Sequence, residues 1–211
     1  MTQDPQLPHV LPEDPLPLAK AWLDEAQRVH RNATSMALAT VDPSGRPTAR
    51  MVICRGLDLA DGWLVFYTDR ESDKGAALAA HPWAACVFHW RELERQIRIE
   101  GPVTRAPDAD SDRYWRSRDP EAQRAAWASQ QSRPLGSRAE LLQAIANVAP
   151  GTSGALPRPA RWGGYRVWAE RVELWVSMTG RAHDRARWSR TLTPIDGGFK
   201  GGAWTSTRLM P

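Results

Sequence analysis

Between Leu18 and His30 the apolar side chains Ala19, Trp22, Leu23, Ala26 and Val29 recur every three or four residues, and this spacing predicts an amphipathic helix. The period then shortens. Ser35–Val41 reads as a strand, Asp42–Pro47 as a turn, and Thr48–Arg55 resumes β-branched content as a second strand. After a turn at Asp58–Gly62, Trp63–Thr68 is a third. Ser72–Ala80 is predicted as a short helix stopped by His81 and Pro82, and Trp83–Trp90 and Gln96–Thr104 as two more strands joined around Arg91–Arg95. Asp108–Ser117, Glu121–Gln131 and Ser137–Val148 are predicted helices, and Ala149–Pro159 a loop rich in Gly and Pro. Tyr165–Ala169 and Arg171–Val176 are expected to form a last strand pair, with a closing strand at Trp204–Leu209. Strands spaced by roughly 8–15 residues have the rhythm of a barrel or sandwich, not of a parallel α/β sheet. The expected fold is mainly β with peripheral helices, a single barrel domain over residues 16–211. The proline-rich stretch 1–15 has little apolar pattern and is expected to be an extended or mobile arm.

Composition narrows the function classes. The chain has 211 residues, enough for one sizeable core, and no run approaches the roughly 20 apolar residues of a membrane span. The N-terminus lacks a basic-then-apolar signal pattern, and Cys54 and Cys86 lie in apolar runs without paired spacing. Buried thiols in a reducing compartment follow, and the cytoplasm is the expected location. The five histidines are scattered and no metal motif is present, so no metal site is expected. The 28 basic residues include only Lys20, Lys74 and Lys200 as lysines, which leaves 25 arginines against 24 acidic residues. Genome bias and solvated surface account for most of that excess, while some arginines suit the fork-shaped recognition of phosphate or carboxylate. Acidic side chains (Glu92, Glu94, Asp108, Asp110, Asp112, Asp119, Glu121) interleave with the arginines, so the basic stripe needed for nucleic acid does not form.

Phosphate-loop, dinucleotide and nucleophile-elbow signatures are absent. What remains is a set of polar and arginine-bearing segments at strand ends: Arg50–Arg55, Phe66–Thr68 followed by Ser72–Lys74, and Leu93–Arg98 with Glu100 and Gly101. Tyr114–Arg118, Ala126–Ser132, Trp162–Tyr165, Glu173–Trp175, Arg181–Arg185 and the terminal Arg208–Pro211 follow. In this order, from about Trp22 to the C-terminus, they resemble the pyridoxine/pyridoxamine 5′-phosphate oxidase family of FMN enzymes.

The resemblance implies an FMN-binding split β-barrel, a homodimer with two FMN molecules in clefts between subunits. It implies that Arg50, Met51, Val52, Ile53, Cys54 and Arg55 run beneath the cofactor, with Tyr67 and Thr68 at the end of the next strand. Lys74, beside Asp73, would hold the flavin phosphate and Gln96 would face the ring. Gln131, Ser132, Trp175 and Arg185 would complete the cofactor site. Tyr114 and Arg118 match substrate-phosphate ligands, four apart and so on one face of a helix, while Arg181 and His183 match the pair against the substrate's pyridine ring. These last two are the candidate catalytic residues, positioning the substrate with a proton role. Arg55 stands where the family usually has a lysine for the substrate phosphate. Ala122 replaces a serine donor, and the arm has no Arg-x-x-Tyr. Segment 194–203 is Gly-rich and fits no family motif.

The implied reaction oxidises pyridoxamine or pyridoxine 5′-phosphate to pyridoxal 5′-phosphate, with dioxygen as electron acceptor and peroxide as product. Two alternatives share the scaffold: an FMN oxidase of secondary metabolism acting on reduced phenazine-type intermediates, and a flavin or B6-phosphate binding protein without turnover. Taken singly, each residue has a plainer reading. Tyr67 and Trp175 suit core aromatics, Arg118 and Arg185 solvated charges, and His183 and His89 structural histidines.

Overall fold

The computed structural model describes residues 6–148 and 156–211. Helix α1 (Leu16–Val29) begins two residues before the predicted span, with Pro17 in its first turn, and buries Leu16, Ala19, Trp22, Leu23 and Ala26. Strands β1 (Ser35–Val41), β2 (Pro47–Ile53), a short β3 (Gly56–Asp58) and β4 (Trp63–Asp69) follow. Helix α2 (Asp73–Ala80) leads to β5 (Trp83–Trp90) and the long β6 (Arg95–Arg105). Next come α3 (Asp108–Arg116), α4 (Pro120–Ala128) and α5 (Arg138–Ala146). The C-terminal part holds β7 (Trp162–Trp168), β8 (Arg171–Val176), β9 (Asp184–Ser189), β10 (Leu192–Ile195), β11 (Gly198–Gly201) and β12 (Thr205–Arg208). No helix among the described residues is long and apolar enough to cross a membrane.

Alternation decides which face of each strand is buried. Met36 and Leu38 of β1, Cys86, Phe88 and Trp90 of β5, Ile97 and Ile99 of β6, Val172, Leu174 and Val176 of β8, and Trp188 of β9 point into one core. Each such side chain contributes about 1.5–3 kcal/mol of burial. Helix α1 covers this core, and Arg95 anchors it by pairing with Glu25 and lying 4.9 Å over the Trp22 ring.

The sheet runs β12-β9-β8-β6-β5-β1-β2, with a branch from β6 through β7 to β4. The expected pairing of 165–169 with 171–176 is corrected here. The two segments are strands, but they lie end to end along β6. β8 pairs with Arg95–Glu100, and β7 pairs with Val103–Arg105. The crossover sits at Gly101, where a β-carbon would overlap the Trp168 carbonyl oxygen, and Glu170 N–H donates to Glu100 O nearby. From that branch β7 turns back to β4, while β8 carries a wing of β9 and β12. β4 and β2 form no ladder with each other, so the barrel stays split along a seam.

Strand β9 and the β10–β11 hairpin were not expected. β9 shows only two buried apolar residues, Ala186 and Trp188, between arginines. The hairpin occupies the Gly-rich segment: it turns at Asp196-Gly197, where Gly197 has φ +72°, and seats Gly198 and Phe199 against the Trp168 ring. Residues 6–15 contain no helix or strand and are tied to the rest of the chain by hydrogen bonds. Leu7 is buried and its N–H donates to Asp184, Trp188 donates to Pro12 O, and Arg208 donates to Pro8 O. Residues 1–5 of that arm, and most of the predicted loop Ala149–Pro159, lie outside the described residues.

Candidate active-site cleft

The seam opens into a cleft of about 1190 Å³. One wall is β2, contributing Thr48 to Ile53, with Arg55 just beyond it. The opposite wall is the end of β4 (Tyr67, Thr68, Asp69) and the start of α2 (Asp73, Lys74). The α3–α4 connection and α4 supply Tyr114, Ser117, Arg118, Asp119, Ala122, Ala125 and Ala126, and the following segment Ser129, Gln131 and Ser132.

A cationic, hydroxyl-rich cluster forms one end. Ser72 caps α2 by accepting from Gly75 N–H, which places Lys74 in the first helical turn. Lys74 is only 7% exposed, and its ammonium donates to Gln131 Oε1 (2.8 Å), Thr68 Oγ1 (3.1 Å) and Ser72 Oγ (3.2 Å). Burial, reinforced by Arg50, lowers its pKa below the ordinary lysine value. Thr68 also donates to Gln131 Oε1 (2.9 Å), and Ser132 Oγ accepts from Asp73 N–H (3.2 Å). Arg50 donates to Leu38 O, Thr40 Oγ1 and Thr48 Oγ1, which stiffens its guanidinium against β1; burial lowers its pKa as well. Two partly desolvated cations ringed by hydroxyls make an anion site, and a dianionic phosphate suits that donor set.

An aromatic stack forms the other end. Tyr114 lies on Tyr67 (4.3 Å between centroids) and Tyr67 on Trp162 (5.5 Å). Gly164, opposite Tyr67 in the β4–β7 ladder, makes this possible, because a β-carbon there would meet the Tyr67 ring at 2.8 Å. The Arg118 guanidinium sits 4.9 Å over Trp162 and 5.5 Å over Trp115 and donates to Ala122 O (3.0 Å). Arg55 lies 5.3 Å over Tyr114. Burial lowers the Arg118 pKa, with Tyr114 opposing and Arg55 adding to the shift. The expectation that Tyr114 and Arg118 share a helix face is corrected. α3 stops at Arg116, because Asp119 precedes Pro120 and takes an extended ψ of 136°. Both side chains reach the cleft nonetheless, one from the helix and one from the connection. Likewise, the helix expected over 121–131 ends at Ala128, and Gln131 and Ser132 stand in the loop beyond, Ser132 with φ +71°.

Thirteen of the sequence-derived site residues line this cleft: Arg50, Met51, Val52, Ile53, Arg55, Tyr67, Thr68, Asp73, Lys74, Tyr114, Arg118, Gln131 and Ser132. Cys54 does not; it is buried in the core, its thiol donates to Gly56 O, and burial pushes its pKa up to about 11. Gln96, Trp175, Arg185, Arg181 and His183 do not line it either. They stand on β6, β8, β9 and the turn that joins β8 to β9. Gln96, Trp175 and Arg185 are successive register partners across β6, β8 and β9, and the His183 ring rests 4.7 Å from that of Trp175. Glu173, 3% exposed, accepts from Arg185 Nε and Nη2 (3.1 and 2.8 Å) and lies 3.4 Å from Arg98. Arg181 occupies a turn with φ +63° and is exposed. Among the residues of the cleft and its frame that the sequence assigned no role are Trp162, Asp69, Ser117 and Arg161. Trp162 and Ser117 stand inside the polar segments read from the sequence, and Trp162 precedes two glycines that let aromatic rings approach β7.

Residues 23–150 match the family model described as pyridoxamine 5′-phosphate oxidase, and residues 162–211 the one described as pyridoxine 5′-phosphate oxidase C-terminal dimerisation region. The chain is 45% identical to a pyridoxine/pyridoxamine 5′-phosphate oxidase of Azorhizobium caulinodans over 201 residues, 94% of this chain and 91% of that protein. It is 43% identical to the enzyme of that name from Rhodospirillum rubrum over 203 residues, 94% and 96% of the two chains. Among solved structures, PhzG from Burkholderia lata 383, in complex with tetrahydrophenazine-1-carboxylic acid, superposes with a TM-score of 0.79 at 32% identity, covering 95% and 94% of the chains. An FMN-binding protein of Nostoc punctiforme related to pyridoxamine 5′-phosphate oxidase shares the fold at 20% identity, with a TM-score of 0.75 and coverage of 95% and 100%.

Proposed function

The chain belongs to the pyridoxine/pyridoxamine 5′-phosphate oxidase family, and from that premise we propose that it converts pyridoxamine or pyridoxine 5′-phosphate to pyridoxal 5′-phosphate using FMN and dioxygen. The observation that carries the proposal is that two cationic groups, Lys74 with Arg50 and Arg118 with Arg55, line one cleft. Lys74, Thr68, Ser132 and Arg50 would hold the flavin phosphate, and Tyr114, Arg118 and Arg55 the substrate phosphate. FMN, when bound, supplies the acceptor for the hydride leaving the substrate's 4′ carbon. The protein's part is placement: two phosphates gripped at separate ends fix the distance between the molecules that carry them. Overall the alcohol loses two electrons and two protons to dioxygen, giving aldehyde and hydrogen peroxide; the amine also consumes water and releases ammonia.

A homodimer completes the site in this proposal. Register places Met51, Ala37, Val87, Arg98 and Glu173 in one row on the outer face, with Ile53, Gln96, Trp175 and Arg185 pointing the same way. Met51 (63% exposed) and Ile53 leave apolar side chains open on this face, which a second copy would cover. A partner on that face brings its own Gln96, Trp175, Arg181, His183 and Arg185 towards the cleft. The match of residues 162–211 to a dimerisation region supports this arrangement.

One observation favours a second reading. Ala122 offers the substrate end no hydroxyl, and its carbonyl is engaged by Arg118, so that end has fewer donors than a phosphate ester commonly meets. A reduced phenazine-type substrate carries no phosphate ester to satisfy, and the Burkholderia protein is in complex with tetrahydrophenazine-1-carboxylic acid. The deciding experiment loads the protein with FMN and follows aldehyde and peroxide during aerobic incubation with pyridoxamine 5′-phosphate. Turnover supports the first reading. Bound FMN with an inert B6 phosphate and an oxidised tricycle supports the second, and bound FMN with neither product points to a binding protein.

A further inference from the structure

We propose that Arg161 is a positioning residue for the flavin phosphate, tying the end of α4 to the end of β4 and neutralising the carboxylate beside the phosphate end of the cleft. The proposal rests on the FMN reading above and concerns a side chain that does not itself line the cleft. Arg161 stands just before β7. Its Nε donates to Asp69 Oδ2 at 2.8 Å, and its Nη2 lies against three carbonyl oxygens, those of Ala126 (2.9 Å), Trp127 (2.9 Å) and Ser129 (3.0 Å). Its own carbonyl accepts from Arg70 N–H at 2.6 Å. One residue thus grips both the β4 side and the α4 side of the cleft.

The chemistry of each partner explains the grip. The last carbonyls of α4 have no helical partner and carry the negative end of its dipole, so a planar cation is favourable there. Asp69 is 7% exposed, follows Thr68, and directs the turn to Lys74 by accepting from Glu71 N–H through its other oxygen. It lines the cleft. Without its guanidinium partner this carboxylate would face an incoming dianion.

Most of the direct bonds between the β4–α2 side and the segment after α4 compete with an incoming phosphate. Lys74 and Thr68 donate to Gln131, and Asp73 N–H donates to Ser132 Oγ, while Arg133, donating to Glu71 O at 2.8 Å, stands outside that competition alongside Arg161. Lys74, Thr68 and Ser132 are the donors the phosphate would claim. The bonds of Arg161 involve none of them, so they persist and keep Gln131 and Ser132 facing Lys74. Lysine cannot substitute, because its single ammonium lacks the fork that spans carboxylate and helix end together.

The test compares FMN with riboflavin, which lacks the phosphate, by quenching of flavin fluorescence on the full-length protein. Wild type is expected to bind FMN more tightly than riboflavin. Arg161→Ala should weaken FMN binding about ten- to a hundredfold, the range of one charge-assisted hydrogen bond lost, while riboflavin binding changes little. The FMN-to-riboflavin preference therefore collapses. Adding Asp69→Asn to that variant should restore part of the preference by removing the unpaired carboxylate. Equal losses for both flavins, or an unchanged preference, would overturn the proposal. If Arg161→Ala does not fold, Arg161→Lys is read instead: a lowered preference supports the proposal and a full wild-type preference overturns it. Wild type that binds neither flavin, or both equally, overturns the FMN reading and this inference with it.

Discussion

The Glu173 carboxylate offers a sharp test of how the wing is built. It is 3% exposed and faces two cations: Arg185, through bonds of 2.8 and 3.1 Å, and Arg98 at 3.4 Å. Glu173→Gln keeps the shape, leaves one oxygen for Arg185 and turns an NH₂ towards Arg98. Breaking a fully buried ion pair by removing one charge costs about 3–5 kcal/mol. Arg185 and Arg98 remain 25% and 35% exposed, so water takes up part of their charge. A loss of about 2–3 kcal/mol is therefore expected, and for a chain of this length each kcal/mol lowers Tm by about 2–4 °C. The measurement is denaturant and thermal unfolding of flavin-free protein at one fixed concentration, since a dimer's Tm depends on concentration. Arg185 loses its orienting partner as well, so FMN affinity should fall alongside stability. A stability change within about 0.5 kcal/mol, the range of ordinary surface substitutions, would refute the view that Glu173 organises this face.

Other predictions follow from the cleft and core. FMN affinity should fall as pH rises through the pKa of Lys74, since phosphate needs the ammonium and burial has brought that pKa below 10.5; Lys74→Met should weaken binding and remove this fall in a titration of affinity against pH. Arg118→Ala should raise KM for pyridoxamine 5′-phosphate about ten- to a hundredfold, as expected for a lost charge-assisted contact, with FMN affinity unchanged by fluorescence titration. Cys54, raised to about 11 by burial, and Cys86, raised further, should resist a thiol-specific disulfide reagent in the native protein and react together after unfolding.

The fold was legible where burial alternates and illegible where polar residues dominate a strand. β1, β5 and β6 show their inward rows directly in the chain, and each was expected within a residue or two of its limits. β9 shows two apolar side chains among arginines because its outer face carries Arg185 and Arg187. The β10–β11 hairpin hid behind its glycines, although Asp196-Gly197 is the turn such a hairpin uses. The end-to-end placement of β7 and β8 could not be read from periodicity, which reports a strand and its faces but not its neighbour. That placement depends on Gly101, whose missing β-carbon lets Trp168 cross.

The site divides along a similar line. Residues contributed by consecutive elements, such as Thr68, Ser72 and Lys74 at the β4–α2 junction, are brought together by local geometry, so a short motif already encodes their meeting. Arg161 is 92 residues from Asp69 in sequence and touches it only because β7 lies against β4. No local pattern could mark it. The same reasoning explains why Gln96, Trp175 and Arg185 stand away from the cleft while belonging to the same outer face as Met51 and Ile53. Side chains of one chain that point the same way from one sheet cannot all close on one ligand. In the proposed homodimer a second sheet would face them, and twofold symmetry would supply it at no cost in new sequence, since one surface serves as both halves of the interface. The split barrel would then leave its cleft half built in each chain, with Arg161, in the proposal above, holding the half that one chain provides.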